Sequence, residues 1–340
     1  MSNRIQDEDV YQKLAERLKL PGSPCLLKVL RKLATPADVR MLLELPAEPA
    51  DLAGKLGLSQ ELVRQKLQEF LEKGMVIPTS KGLRLARDVT QLHDATLASA
   101  DKWVDEELLD LWKEFHEVEW IRNMVSALGD QYVQYISVIP AWKALERSPG
   151  ISPAEVKPEE NIRELIKGAD PIAVVPCSCR RSMRRCGWPL DVCLQLNKGA
   201  RYAIDRGAGR QLTIDEAFAV ADRAEEAGLV HTLPGRASGR LNEICNCCND
   251  CCVIFDAGLR LNKIEQILEK SRFRATVDQG LCNGCQDCVE RCFFDAIEMV
   301  KPEGSKKLKA SVDTGKCYGC GLCVVACDTG AMALELPASG

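Results

Sequence analysis

A run of four cysteines with fixed spacing occurs twice near the end of this sequence and constrains its fold more than any other feature. The spacing is C-x2-C-x2-C-x3-C, and its two occurrences are Cys282, Cys285, Cys288 and Cys292, then Cys317, Cys320, Cys323 and Cys327. Aligning residues 277–299 with residues 312–334 gives ten identical positions, which include Gly284 with Gly319 and Ala296 with Ala331. The segment is therefore an internal duplication, and its repeated thiols indicate a metal-binding fold.

This duplicated pattern resembles the bacterial dicluster ferredoxin domain, which holds two [4Fe-4S] clusters. The resemblance implies that three cysteines of one run share a cluster with the fourth cysteine of the other run. The expected ligand sets are Cys282, Cys285, Cys288 and Cys327 for one cluster, and Cys317, Cys320, Cys323 and Cys292 for the other. We expect Gly284 and Gly319 to permit tight turns that direct backbone N–H groups at the cluster sulfur atoms.

The sequence departs from the ferredoxin pattern because no proline follows the fourth cysteine of either run. Phe293 and Asp328 stand at these two positions. That proline shapes the chain and is not a ligand, so the expected ligand sets are unchanged. A pair of zinc sites is the alternative, but zinc prefers two separated Cys-x2-Cys pairs to tandem runs of four cysteines. The pattern therefore favours iron–sulfur clusters.

Nine further cysteines lie in the middle of the chain, in two groups that are all candidate metal ligands. These are Cys177, Cys179, Cys186 and Cys193, then Cys245, Cys247, Cys248, Cys251 and Cys252. So many thiols in two short stretches exceed what core packing explains. Three interpretations remain open: one or two additional iron–sulfur clusters, a structural four-cysteine zinc site, or thiol redox chemistry. Two adjacent cysteines do not easily bind one tetrahedral zinc ion, which favours clusters.

Basic residues dominate the stretch around the first of these groups. Residues 177–210 contain only Asp191 and Asp205 as acids, against Arg180, Arg181, Arg184, Arg185, Lys198, Arg201, Arg206 and Arg210. One interpretation is a docking face for an anionic partner or a phosphate-bearing substrate. The other is electrostatic balance, because a cluster with four thiolates is anionic and nearby arginines stabilise it. The sequence does not decide between them.

The N-terminal part predicts helices followed by a short hairpin. One helix ends at Pro46, a second covers 49–56, and Ser59 caps a third that ends at Gly74. The apolar stripe of the third helix is Leu62, Val63, Leu67, Phe70 and Leu71. Strands are expected at 75–77 and 82–85. This order resembles the winged-helix domain of transcription regulators, which implies either DNA binding or protein interaction.

DNA binding is the less favoured of these two roles. The third helix carries Glu61, Glu69 and Glu72 against three cations and is therefore neutral. A helix that enters a major groove beside phosphates is usually more basic. The expected hairpin does carry Lys81 and Arg84.

The fold class expected for the whole chain is α+β with several domains. We expect a helical and winged-helix-like domain over 1–87, a helical connector over 88–150 and a cysteine-rich α/β metal-binding module over 151–273. A ferredoxin-like domain with two [4Fe-4S] clusters is expected over 274–340. Within the middle module the pattern predicts a strand at 172–175, a helix at 214–227 and a helix at 259–270.

Composition limits the cellular setting. The chain has 340 residues with a net charge of −4, which excludes a globally basic nucleic-acid-coating protein. Its longest apolar stretches are far too short to span a membrane, and residues 1–10 are polar, so neither a membrane span nor a secretory signal is expected. Many cysteines without an export signal indicate a reducing compartment, and we therefore expect a cytoplasmic location.

These observations favour electron transfer through iron–sulfur clusters. The whole chain resembles multi-cluster iron–sulfur redox proteins of anaerobes, which implies a subunit or partner of an oxidoreductase. The expected partner is a redox protein, either a flavoprotein or a reductase subunit. Two alternatives remain: a redox-sensing winged-helix regulator that binds DNA, and a reductase whose middle cluster is open to substrate. The sequence does not decide whether the protein is itself an enzyme, and no catalytic residue is assigned.

Overall fold

The computed structural model describes residues 2–123, 136–234, 241–304 and 306–337. The chain divides into two compact units, and it passes between them several times. The first unit contains Met1–Ala127, Val175–Arg185 and Tyr202–Arg210, and the second contains Leu128–Val174, Cys186–Arg201 and Gln211–Gly340.

The N-terminal part of the first unit is mostly helical. Its elements are α1 (Ser2–Arg17), α2 (Pro24–Leu33), α3 (Pro36–Leu43), α4 (Pro49–Leu56), α5 (Gln60–Glu72), β1 (Val76–Thr79), β2 (Gly82–Leu85), α6 (Val89–Leu97), α7 (Glu106–Phe115) and a π-helical turn (His116–Trp120).

Local sequence signals explain where these helices begin and end. The Ser23 and Ser59 hydroxyls accept hydrogen bonds from the first-turn N–H groups of α2 and α5. Thr35 caps α3 in a reciprocal capping box with Asp38. Gly57 adopts a left-handed conformation after α4, as a helix C-terminus often requires.

The order of elements expected for residues 36–87 is present in the structure. Helices α3, α4 and α5 are followed by β1 and β2, which pair as an antiparallel hairpin. One stripe residue was predicted wrongly: Leu62 is 39% exposed, whereas Val63, Leu67 and Phe70 are buried. Val63, Leu67 and Phe70 follow the i, i+4, i+7 spacing of one helix face, and Leu62 lies one residue, about 100°, away from that face. Assignment to the winged-helix class stays a prediction.

The second unit, together with the segments that the two units share, contains the remaining elements. These are β3 (Ile136–Val138), α8 (Trp142–Glu146), α9 (Ile162–Lys167), β4 (Ile172–Pro176), α10 (Ser178–Met183), β5 (Asp191–Leu196), α11 (Lys198–Asp205), β6 (Arg210–Leu212), α12 (Ile214–Ala227), β7 (Val230–Pro234), β8 (Glu243–Cys247), α13 (Val253–Arg260), α14 (Ile264–Ile267), β9 (Leu268–Glu269), β10 (Arg274–Val277), α15 (Asp287–Glu290), β11 (Ile297–Val300), β12 (Lys309–Val312), α16 (Leu322–Val325) and β13 (Met332–Glu335). Helix α10 belongs to the first unit.

A seven-stranded mixed sheet organises the part of the second unit that precedes the duplication. Its strand order is β6-β4-β5-β8-β7-β3-β9. Strands β5, β8, β7 and β3 pair antiparallel in succession, and β9 joins β3 in parallel. The predicted strand at 172–175 and helix at 214–227 are both present.

Two secondary-structure predictions were wrong in this region. The expected helical connector over 88–150 contains a strand, because Ile136–Val138 pairs with both β7 and β9. The expected helix at 259–270 is instead the end of α13, the four-residue α14 and the two-residue β9. In both places, pairing with distant strands overrides the local pattern.

The duplicated segment forms a pseudo-symmetric structure. Strand β10 pairs with β13, and β11 pairs with β12, so each two-stranded sheet takes one strand from each repeat. Helices α15 and α16 occupy equivalent places, 35 residues apart in sequence. The two repeats are therefore interlocked, and each needs the other to complete its sheets.

One buried apolar cluster joins the duplicated segment to the sheet of the second unit. It contains Cys247 and Phe255 together with Phe273, Cys317 and Tyr318.

Among the helices in the described ranges, none combines the length and the apolar character that a bilayer crossing needs.

Candidate metal centres

The first site of the duplicated segment is a cavity lined by thiols from both repeats. Its cysteines are Cys282, Cys285, Cys288 and Cys327. They surround about 310 Å³ of space that contains no protein atoms. Three of these residues come from the first run and the fourth comes from the end of the second run.

The second site repeats this arrangement with the repeats exchanged. Its cysteines are Cys317, Cys320, Cys323 and Cys292, and they surround about 330 Å³. The structure therefore groups the eight cysteines into the same two sets of four that the ferredoxin resemblance implied. Four soft thiol ligands around one cavity suit iron–sulfur clusters.

Backbone amides donate to several of these sulfur atoms, again with the repeats exchanged. Ala275 N–H donates to Cys317 Sγ at 3.4 Å, and its counterpart Ala310 N–H donates to Cys282 Sγ at 3.5 Å. Gly319 N–H also donates to Cys317 Sγ, at 3.4 Å. Such N–H···S bonds stabilise negative charge on cluster sulfurs and help to set the reduction potential.

The two predicted turn glycines adopt the left-handed conformation that tight turns require. The φ angles are +82° at Gly284 and +67° at Gly319. A Cβ atom at Gly319 would overlap the carbonyl oxygen of Phe273 and the hydroxyl of Ser271. Only glycine combines this backbone angle with such a close approach.

Burial raises the pKa of four of these thiols, Cys288, Cys292, Cys320 and Cys323, because a thiolate loses its hydration inside the protein. The pKa of Cys288 rises to about 11 and that of Cys320 to about 12. Cys327 differs: burial would raise its pKa too, but the Thr329 hydroxyl and backbone N–H groups bring the pKa below the ordinary value. Metal binding must therefore displace protons from the four thiols whose pKa is raised by burial.

Six of the seven middle cysteines of the second unit form two groups of three. In the first group, Cys186 Sγ lies 3.3 Å from Cys251 Sγ and 3.9 Å from Cys248 Sγ. The three sulfur atoms lie within 4.8 Å of one another, close enough to bind one metal centre. Beside them, Trp188 Nε1 donates to Asp250 at 3.1 Å.

The second group lies on neighbouring strands. Cys193 on β5 and Cys245 and Cys247 on β8 are close enough for Cys245 to hydrogen-bond both of the others, which raises its pKa well above the ordinary value. Cys247 Sγ also lies 3.5 Å from Thr232 Oγ1. The alternation of side chains along β8 directs Cys245 and Cys247 to the same face.

The remaining three middle cysteines lie at or near helix starts. Cys177 directly precedes α10, and Cys252 directly precedes α13, with nearly identical backbone angles (φ −65°, ψ 111° and 112°). Cys179 lies in the first turn of α10. Cys177 and Cys179 belong to the first unit, whereas the other seven middle cysteines belong to the second.

The arginines beside Cys177 and Cys179 bind groups within the first unit. Arg181 donates to the carbonyl oxygens of Leu97 and Ser99 at 3.0 and 2.8 Å. The other contacts are Arg181 with Asp101, Arg184 with Glu106 and Asp110, Arg185 with Glu117, and Arg206 with Ser99. These four arginines therefore anchor chain segments, a role that neither interpretation of the basic stretch anticipated.

The arginines of the hairpin region are also engaged within the first unit. Arg84 donates to the Leu85 carbonyl at 2.8 Å and to Gln91 at 3.1 Å. Arg87 forms an ion pair with Asp88 at 2.7 Å. Cations used in this way contribute less to phosphate binding, which weakens the case for DNA as a partner.

A buried polar network that the sequence analysis missed adjoins the second thiol group. The Glu225 carboxylate lies 3.1 Å from His231 Nε2, and His231 Nδ1 hydrogen-bonds Asn246, which stands between Cys245 and Cys247. All three network residues are buried. Their positions, 225, 231 and 246, follow no motif spacing, so only strand pairing could reveal them.

Comparison with known proteins identifies one region of the chain. Residues 281–331 match the 4Fe-4S dicluster domain family. The C-terminal domain is of the ferredoxin type. The match covers all eight cysteines of the two cavities, and together with the three-thiol group it supports an iron–sulfur electron-transfer role. No curated protein and no solved structure matches the chain significantly.

Proposed function

We propose that this protein transfers electrons through [4Fe-4S] clusters held in the two cavities of the dicluster domain. The observation that carries the proposal is the lining of each cavity by four cysteines, three from one run and one from the other. In this proposal, Cys282, Cys285, Cys288 and Cys327 hold one cluster, and Cys317, Cys320, Cys323 and Cys292 hold the other. A bound [4Fe-4S] cluster supplies one-electron redox chemistry.

Backbone N–H groups of the protein stabilise negative charge at the two sites. The N–H groups of Ala275, Ala310 and Gly319 donate to ligand sulfurs and so favour the more negative, reduced state. The interlocked β10–β13 and β11–β12 sheets hold the ligands of both repeats in one framework. Little reorganisation then accompanies gain or loss of an electron, which favours rapid transfer.

The middle thiols hold one or two further iron–sulfur clusters in this proposal. Each three-thiol group of the second unit would supply most of the ligands of one centre, and zinc is the competing occupant. The alternative of thiol redox chemistry is less favoured, because hydrogen bonds with Cys193 and Cys247, followed by burial, raise the pKa of Cys245 and lower its fraction of reactive thiolate.

The physiological partner in this proposal is a redox protein, either a flavoprotein or a reductase subunit. The dicluster domain supports a role alongside such a partner. A regulator that binds DNA is the weaker alternative, because Arg84 and Arg87 are used in internal contacts. A reductase with a substrate-accessible middle centre would require a metal at the Cys186, Cys248 and Cys251 group.

Metal and sulfide content tests the proposal directly. Iron, acid-labile sulfide and zinc are measured on anaerobically purified protein, with electron paramagnetic resonance (EPR) spectra after dithionite reduction. We expect about twelve to sixteen irons per chain, of which about eight belong to the dicluster domain. About eight irons with stoichiometric zinc would contradict the middle clusters alone, and absence of iron and sulfide would contradict the whole proposal.

The crossed ligand sets are tested by two matched variants. Cys292 belongs to the first run but is a proposed ligand of the second site. Cys292→Ser should therefore weaken the EPR signal of the site that Cys317, Cys320 and Cys323 form. Cys327→Ser is the symmetric control and should affect the first site. Each variant should lose up to about four irons. Loss from the site of the same run would show that the ligand sets are not crossed.

A further inference from the structure

The two sites of the dicluster domain differ at positions that the duplication makes equivalent. Adding 35 to a residue number in the first repeat gives its counterpart in the second. The pairs that line the cavities are Asn283 with Tyr318, Gln286 with Gly321, and Thr329 with Phe294. The first site therefore has polar side chains where the second has two aromatic rings and a glycine.

Burial follows the same division. Cys285 is exposed at the first site, whereas its counterpart Cys320 is half-buried. Cys282 is half-buried, whereas its counterpart Cys317 is buried. Tyr318 is 3% exposed, in contrast to the exposed Asn283. The second site is consequently more buried than the first at these positions, whereas Cys288 and Cys323 are equally buried.

Elements outside the duplication cover the second site. Ala141 N–H, just before α8, donates to the Cys320 carbonyl oxygen at 2.9 Å. Helix α8 approaches so closely that a Cβ atom at Gly321 would lie 2.5 Å from Ala144 Cβ. A side chain as large as Gln286, the counterpart of Gly321 at the first site, would not fit there.

Aromatic rings complete this cover. Phe294 stacks on Tyr318 with ring centroids 4.2 Å apart, and Phe255 of α13 lies 6.0 Å from Phe294. Helix α13 begins directly after Cys252, one of the middle cysteines. The aromatic wall of the second site is therefore continuous with the part of the second unit that carries the middle thiols.

We propose that Tyr318, Phe294 and α8 make the second site an internal, shielded centre that faces the middle thiols, and that the first site is the solvent-facing centre that exchanges electrons with external redox molecules. This inference rests on the proposed function, because it concerns clusters in both cavities. The exchange moves one electron and no proton: the external reductant is oxidised by one electron as the first site is reduced by one.

Two measurable differences follow from the shielding. An added electron increases the negative charge of a site, and water and polar groups stabilise that charge better than aromatic rings do. The first site should therefore have the higher reduction potential. It should also lose iron faster to a charged, membrane-impermeant iron chelator, because the chelator must reach the metal through solvent.

The duplication itself supplies matched variants for the test. In the reduced, anaerobic holoprotein, loss of each EPR signal is followed after adding bathophenanthroline disulfonate, and potentials come from an EPR-monitored titration. We expect a fast and a slow phase of signal loss. Replacing the aromatic wall with the first-site residues (Tyr318→Asn with Phe294→Thr) should speed the slow phase roughly tenfold and raise the lower potential.

The converse pair (Asn283→Tyr with Thr329→Phe) alters exposed positions, where folding is least at risk. It should slow the fast phase and lower the higher potential. Equal rates and potentials at the two sites of the unaltered protein, or converse variants that move neither quantity, would overturn the inference. Iron and sulfide content distinguishes failure of this inference from failure of the proposed function. If the dicluster domain holds about eight irons but its two sites have equal rates and potentials, only the shielding is refuted.

Discussion

At the scale of single residues, His116 illustrates how burial in the first unit creates pH sensitivity. Its imidazole packs edge-to-face on His93 with centroids 4.5 Å apart, and it is buried among aromatic rings. Burial, followed by the charges of His93 and Arg185, holds the pKa of His116 well below the ordinary value of 6.5. The folded protein therefore keeps this ring neutral at a pH where the unfolded chain takes up a proton.

The sign of the resulting pH dependence follows from this difference. The contribution of His116 to stability is complete above the unfolded pKa and declines as pH falls from about 6.5 towards the lower folded pKa. His116→Phe should abolish that decline. Between about pH 7.5 and about pH 5.5, its free energy of unfolding should therefore fall by less than that of the original protein. The free energies of unfolding are measured by urea titration of both proteins at several pH values. If they changed equally with pH in the two proteins, the assignment would be wrong.

Gly319 gives a second prediction at this scale. Gly319 and Gly330 have nearly the same φ, +67° and +66°, but a Cβ atom would overlap backbone only at Gly319. Gly330→Ala should therefore lower the free energy of unfolding by about 1–2 kcal/mol, from the backbone angle alone. Gly319→Ala should cost more and reduce the iron content of the second site. The comparison uses thermal unfolding and iron analysis, and equal effects of the two substitutions would contradict it.

At the scale of elements, Glu225 of α12 determines where α8 begins. Its carboxylate accepts hydrogen bonds from the N–H groups of Trp142 and Lys143, at 2.6 and 3.1 Å, and so caps the helix that covers the second site. The same carboxylate binds His231 on β7. Burial would raise the pKa of Glu225, but His231 and the two amides together bring it below the ordinary value of 4.5.

Neighbouring glutamates allow a controlled test of this cap. Glu225→Gln removes the charged acceptor of the Trp142 and Lys143 amides and should lower the free energy of unfolding by about 1.5–3 kcal/mol. Glu226→Gln removes only an exposed ion pair with Lys143 and should lower the free energy of unfolding by less than about 1 kcal/mol. Since the pKa of Glu225 is lowered by folding, its contribution should persist above about pH 4.5 and disappear below. Equal urea-unfolding midpoints for the two variants would disprove the capping role.

At the scale of the whole molecule, the middle cysteines fall into separate groups that the sequence did not distinguish. Cys186 lies with Cys248 and Cys251, and Cys193 lies beside Cys245. Cys186→Ser and Cys193→Ser should therefore each lower the metal content by one centre while the dicluster EPR signals persist. The double variant should show the sum of both losses, up to about eight irons if both centres are cubanes. A double variant no worse than either single variant would indicate one shared centre.

The sequence alone determined the features that depend on local spacing. The two cysteine runs, the turn glycines and the cap at Ser59 each act over a few residues, so their outcome can be predicted from short patterns. The crossed grouping of the eight cysteines followed from the resemblance that these runs support.

Only the tertiary structure decided the features that depend on contacts between distant residues. The strand at Ile136–Val138 exists because β7 and β9 supply its hydrogen-bond partners. The network of Glu225, His231 and Asn246 forms because α12 and two paired strands bring three separated residues together. The difference between the two dicluster sites arises in the same way. The repeats have the same cysteine spacing, but α8 and Phe255 pack against residues that line the second site, and packing depends on the whole chain.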